Sequence, residues 1–252
     1  MLLYFLGITI ILPLVLASAF LIKKNSLLRR AAVFFMAVAL TAGAVWATVH
    51  GADRYEIPAG HAKLMGAILA FGNFAVLAVS AWLGWRWKSR LILALEAVQA
   101  AMFCWVYLQS GSETAGIFAL DHLSLVLVLL LDVVGPLTLL AALHHMETEG
   151  RRRFQSRFFI AAAILLAATN GLFLSGNLLW MMFFWQLAML AGFFLLVHDR
   201  SFNVWKNMRN IIIINGCGGV AFIAGIILCL DMAKTLLFRD LLIFRDATSL
   251  LL

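Results

Sequence analysis

The chain has 252 residues, 64% of them apolar and 12% charged, with a formal net charge of +7 and a mean hydropathy of +1.01. A soluble domain of this length is not so poor in charge; apolar stretches of about 20 residues are instead the mark of membrane helices. The basic excess is not a nucleic-acid surface, because no basic face is interleaved with exposed aromatic residues.

The first apolar run, Leu2 to Ile22, contains an A-x-A-like Ala17-Ser18-Ala19. No basic residue precedes it, however, and Lys23, Lys24, Arg29 and Arg30 follow it, which is the reverse of a cleaved signal's polarity. A retained span is expected there. Seven more are expected at 31–50, 63–85, 91–110, 123–145, 157–175, 178–198 and 209–230. Each is about long enough to cross a ~30 Å hydrocarbon core. Lipid offers no hydrogen bonds to open backbone, and no short alternating strands are present for a barrel, so the spans must be helices. The expected fold class is therefore all-α, a polytopic membrane protein of about eight transmembrane helices. The tail from Asp231, "DMAKTLLFRDLLIFRDATSLLL", is too charged to span and is expected to lie at the interface or on a neighbour.

The connections set an orientation. Fourteen of the nineteen basic residues fall in alternate loops: Lys23, Lys24, Arg29, Arg30; Arg86, Lys88, Arg90; Arg151, Arg152, Arg153, Arg157; and Arg200, Lys206, Arg209. By the positive-inside rule those loops are cytoplasmic and both termini face away from the cytoplasm. The expected location is the cell inner (cytoplasmic) membrane, multi-pass. Cys104, Cys217 and Cys229 lie inside apolar runs without CxxC or Cys/His spacing. Neither a disulfide framework nor a metal site is expected, and no cofactor motif is present.

Few polar groups lie within the spans, which makes each a candidate for an ion path. Glu96 sits in "LILALEAVQAAMF", with Gln99 three residues on and on the same face. Asp132 sits in "VLLLDVVGPL". A central Asp costs about 2.5–3.5 kcal/mol on insertion, so it is expected to face protein or water. It reads either as a proton-relay carboxylate or as a protonated or hydrogen-bonded acid that locks two helices. Pro136 removes a backbone donor near Asp132, by a tolerated kink or a functional break. His144 and His145 end the fifth span beside Glu147 and Glu149; they titrate near neutrality and read as proton feeders or as interfacial histidines. Gln186 stands in "MMFFWQLAML" directly after Trp185. Asn210 and Asn215 share the last span with Gly216, Gly218, Gly219 and Gly225, a pattern for close helix packing.

These stretches resemble one family. "FALDHLSLVLVLLLDVVGPL" is similar to the "DGLSLxML" helix of the antiporter-like membrane subunits. "RFFIAAAILLAATNGLFLSGNLLWMMFFWQLAML" resembles their next two helices, with an "adNLLLxxxxWE" pattern. "WKNMRNIIIINGCGGVAFIAGIILCL" resembles the helix after that, and "KTLLFRDL" the "gTLNFxEl" loop that follows. Such subunits build the proton-pumping arm of respiratory complex I. They recur in energy-converting hydrogenases, multisubunit cation/proton antiporters and inorganic-carbon-accumulating complexes. The resemblance divides the chain into an N-terminal four-helix membrane region (1–117), antiporter-like helices (118–230) and an interfacial tail (231–252).

In the family the residue after the Trp is a Glu central to proton translocation; here it is Gln186. The family's Lys in the following helix aligns with Asn210, and its next, broken helix with a further Lys would come after Leu252. Asp132 stands where a Thr is usual. An amide keeps hydrogen-bond geometry and loses charge, so it cannot tune a pKa as an acid does. The resemblance with these departures implies a non-catalytic or accessory membrane subunit of a complex-I-like or antiporter-like assembly. It would scaffold or bound an ion path, with other membrane subunits and lipid as partners, and any redox chemistry would lie in those partners. Two rivals stand beside it. One is a proton or cation translocating subunit whose relay is rebuilt from Glu96, Asp132 and the histidine pair. The other is half of a split antiporter-like protein. Gln186 and Asn210 are expected to face each other or a neighbouring helix.

Overall fold

The computed structural model describes residues 2–22, 26–51, 53–56, 59–110, 117–148, 152–196 and 202–249. Helix follows helix: α1 (Leu2–Leu6), a π-helical stretch (Gly7–Ile11), α2 (Leu12–Ile22), α3 (Ser26–His50), α4 (Ala59–Arg86), α5 (Arg90–Ser110), α6 (His122–Thr148), α7 (Arg152–Leu174), α8 (Leu178–Leu196), α9 (Phe202–Ala233) and α10 (Phe238–Ser249). Two short strands, β1 (Asp53–Glu56) and β2 (Ile117–Leu120), make a two-stranded sheet.

Seven of these helices are long and apolar enough to cross a membrane. The first expected span is also helical, from Leu2 to Ile22, with the π-helical stretch Gly7–Ile11 interrupting its α-helix. The last span begins earlier than expected, because α9 runs back to Phe202. Local chemistry sets several ends. Gly51 takes a positive φ of 78° just after α3, and its N–H donates to the Ala47 carbonyl, an ending that glycine adopts without a steric penalty. Asp121 caps α6: its carboxylate accepts the Ser124 N–H at 2.7 Å. Partial burial pushes the Asp121 pKa up, but the Ser124 hydrogen bonds, its own N–H and the neighbouring His122 together outweigh that and lower it. Asn177 caps α8 in the same way, accepting the Leu179 N–H at 2.8 Å.

The chain forms two compact units. The first holds Met1–Tyr55, Ala119–Leu174 and Leu187–Ser201; the second holds Glu56–Phe118, Ser175–Gln186 and Phe202–Leu252. In the first unit α3 packs on α6, α2 on α7, and α6 on α7. Its core includes Val33, Met36, Leu40, Leu139, Phe159 and Ala163. The small residues Ala161, Ala162, Ala163, Ala167 and Ala168 are all buried on α7. Such residues let membrane helices approach closely, where lipid supplies no hydrophobic drive of its own.

In the second unit α5 packs on both α4 and α9. The buried stripe of α9 reads Met208, Ile212, Gly216, Gly219, Ile223 and Ile226, a helical spacing of three and four. A Cβ built on Gly216 would meet Leu95 at 3.2 Å, and one on Gly219 would meet Gln99 Oε1 at 2.6 Å and Cδ at 2.7 Å. Two residues of α5 thus sit directly on two glycines of α9. The tail is no free appendage. The Leu178 N–H donates to the Leu236 carbonyl at 3.0 Å, and the Phe238 N–H to the Gly176 carbonyl at 3.1 Å. The "SGNLL" and "TLLF" stretches, about sixty residues apart in sequence, are therefore stitched to one another before α10 begins.

Candidate functional site

In the first unit, two prolines decide where the polar groups go. Proline has no N–H, so the carbonyl four residues before it loses its helical donor. Four residues before Pro136 is Asp132; four before Pro13 is Thr9. Both of these carbonyls accept from a side chain on another helix. Thr41 of α3 donates its hydroxyl to the Asp132 carbonyl at 3.1 Å. Asn170 of α7 donates from Nδ2 to the Thr9 carbonyl at 3.3 Å. Thr9 lies within the π-helical stretch, and its own hydroxyl donates to the Phe5 carbonyl at 2.9 Å. The carbonyl freed by Pro136 thus ties α6 to α3.

The Asp132 side chain joins the same cluster. Asn170 Nδ2 also donates to Asp132 Oδ1, at 2.7 Å. Thr9, Asp132 and Asn170 are all completely buried. Asp132 Oδ2 and Asn170 Oδ1 are buried without a partner among the described residues. Asn170 and Thr9 do not stand out in the sequence, although Asn170 carries the same signal as Gln186: an amide in the middle of an apolar run, which must find a partner within protein.

In the second unit, Glu96 and Gln99 are both buried on α5. Trp185 is set against α9: a Cβ on Gly218 would touch its ring at 3.3 Å, and it meets Phe222 edge-on at 5.8 Å. Gln186 is buried, and neither its Nε2 nor its Oε1 has a partner among the described residues. Asn210 is exposed, which corrects the expectation that it lies inside the packing with Gln186. The reason is helical phase: it stands two residues from both Met208 and Ile212, about 200° around the helix from the buried stripe. Asn215, one residue before Gly216, is half-buried on the flank. His144 and His145 belong to α6, but their side chains lie outside the described residues.

Of the candidates, Asp132 is thus held with Asn170, Thr9 and Thr41, and Glu96 shares a buried face with Gln99. Asp132 belongs to one compact unit and Glu96, Gln186, Asn210 and Asn215 to the other. No group of three or more His, Cys, Asp or Glu side chains that could hold a metal ion occurs among the described residues.

Apolar helices of spanning length, with carboxyl and amide groups sequestered between them, define a polytopic helical membrane protein. Residues 65–170 match the family model described as NADH-ubiquinone oxidoreductase chain 4, amino terminus. The chain is also 27% identical, over 125 residues, to a Na(+)/H(+) antiporter subunit of Bacillus subtilis (strain 168), covering 50% of this chain and 25% of that protein. Its identity to the corresponding Na(+)/H(+) antiporter subunit of Alkalihalophilus pseudofirmus is 24% over 186 residues, covering 73% of this chain and 34% of that protein. Over these stretches the chain is similar to antiporter-like membrane subunits, and it spans a quarter to a third of the length of these curated relatives. The matched family segment starts within α4, ahead of the motifs that begin at Phe118.

Proposed function

We propose that the chain is an accessory membrane subunit of an antiporter-like or complex-I-like assembly, scaffolding or bounding an ion path that partner subunits complete. The observation that carries this reading is Gln186. The resemblance puts a proton-carrying Glu at this position, and here a buried amide without a partner among the described residues occupies it. An amide does not exchange a proton at neutral pH, so this helix has no titrating group where the family uses one. The residue aligned with the family Lys, Asn210, is exposed and uncharged.

Restoring the acid tests this. Gln186→Glu is expected to leave proton flux of the reconstituted whole complex unchanged. The new carboxyl would be desolvated without the Lys that the resemblance pairs with it, and desolvation favours its neutral form. A clear gain in coupled flux would overturn the accessory reading and favour one half of a split antiporter-like protein, with a partner chain supplying the cation. The rebuilt-relay reading has one observation on its side, the complete burial of Asp132 beside an amide.

The same reading puts the chain in the bacterial cell membrane, with other membrane subunits around it and both termini outside the cytoplasm. The basic loops support that orientation. In a variant stripped of Cys104, Cys217 and Cys229, an impermeant thiol reagent added from outside is expected to label a cysteine placed at Glu113 and not one placed at Arg152. The reverse pattern would invert the topology.

A further inference from the structure

We propose that Asp132 and Asn170 form a proton-binding site within the first unit, in which Asp132 carries one proton on Oδ2 and donates it to the amide oxygen of Asn170. This goes beyond the accessory reading and does not depend on it. Donors and acceptors in the cluster do not balance without that proton. The Asn170 amide gives both its described hydrogen bonds from Nδ2, to Asp132 Oδ1 and to the Thr9 carbonyl. What remains is two buried oxygens with no donor among the described residues, Asp132 Oδ2 and Asn170 Oδ1. An ionised carboxylate only accepts, so it leaves both of them unsatisfied. A carboxylic acid brings one O–H, and that single proton makes one oxygen a donor to the other. Two buried defects are removed by one proton taken from water, and the side chain goes from a charge of −1 to neutral.

The surroundings give the charged form no other support. The π-helical stretch carries no titratable side chain. On α3 the charged and titratable residues are Arg29, Arg30 and His50, and nine or more residues separate them from Thr41, about 14 Å or more along the axis. On α7 the nearest, Arg157, is thirteen residues from Asn170, about 20 Å. On α6 itself His122 and His144 stand ten and twelve residues from Asp132, about 15 and 18 Å. A buried carboxylate so far from the cations on these described elements is an uncompensated charge. A sodium ion fits less well than a proton. A hard cation of that kind gathers a shell of several oxygens, and here only two are uncommitted.

The test is infrared spectroscopy of the full chain in lipid at neutral pH. A protonated carboxyl has a C=O band distinct from the paired bands of a carboxylate, and it moves on exchange into deuterium oxide. The wild-type chain is expected to show such an acid band. The band should vanish in Asp132→Asn, which replaces the acid with an amide of the same shape, and should persist in Glu96→Gln, which removes the other buried acid. Replacing Asn170 with Ala takes away the acceptor, so the Asp132 band should shift to the higher frequency of an unbonded acid. The proposal is overturned if the wild-type spectrum assigns ionised carboxylate bands to Asp132, a readout that needs no variant of Asn170 to fold. It is overturned equally if the acid band is present but stays unmoved in Asn170→Ala.

Discussion

Gly219→Leu is expected to destabilise the chain by about 1–3 kcal/mol, the range for forcing extra atoms into a packed interior. A side chain at this position starts inside the volume filled by the Gln99 amide, whose Nε2, Oε1 and Cδ are the three nearest atoms. Gln99 is itself buried against α9 and has little room to withdraw. The neighbouring contact, Leu95 over Gly216 at 3.2 Å, pins α5 one turn away, so sliding the helix does not relieve the clash. Leucine has the better helix propensity by up to about 1 kcal/mol, which works against the expected loss. Gly225→Leu is the control: nothing lies within 4 Å of a Cβ there, so that variant should gain the propensity without the clash. Thermal unfolding in one detergent, compared across the three proteins, reads the difference. Equal melting temperatures for Gly219→Leu and Gly225→Leu would mean that α5 and α9 do not pack through their glycines.

Asn170→Leu is expected to be of similar or greater cost. The volume is roughly kept, but one amide nitrogen now serves two acceptors on two other elements, Asp132 Oδ1 at 2.7 Å and the Thr9 carbonyl at 3.3 Å. Both are stranded when it goes. A buried acceptor left without a donor costs about 1–3 kcal/mol, and Asn170, Asp132 and Thr9 are all completely buried. Pro13 aggravates the loss, since the Thr9 carbonyl has no backbone donor four residues on to return to. Thr169→Val, one residue away, removes only a hydroxyl bonded to its own helix at Leu165 and should be nearly neutral. Chemical denaturation of the two variants in mixed micelles separates them. A midpoint for Asn170→Leu within error of wild type would show that the amide holds nothing.

The spans are legible in the sequence because membrane helices announce themselves by length and composition: each expected span falls on helix, and among the described residues seven helices are long and apolar enough to cross a membrane. The order of the motifs is legible too, but not that "SGNLL" and "TLLF" are joined by the bonds from Leu178 to Leu236 and from Phe238 to Gly176. What stays hidden depends on contacts distant in sequence. Pro136 is visible, but the donor that replaces the lost N–H lies ninety-one positions away, at Thr41. Asn170 and Thr9 are separated by 161 positions, with nothing local to link them. The π-helical stretch has no sequence signature beyond the proline that follows it. Asn210 fails as a buried residue because alignment to a family fixes a position in sequence, whereas burial follows the phase of the glycine stripe on α9. Asp121 and Asn177, both of them caps, have the residue type of helix starts and are readable as such from their places before apolar runs.

An accessory subunit should not move ions unaided. Proton uptake by liposomes holding the purified chain alone, under an imposed pH gradient and with a pH-sensitive dye inside, decides this. The expected result is the leak of empty liposomes, unchanged by Asp132→Asn or Glu96→Gln. Uptake that rises with the gradient and is abolished by Asp132→Asn would contradict the accessory role, and would make the chain a translocating subunit with its relay rebuilt around Asp132.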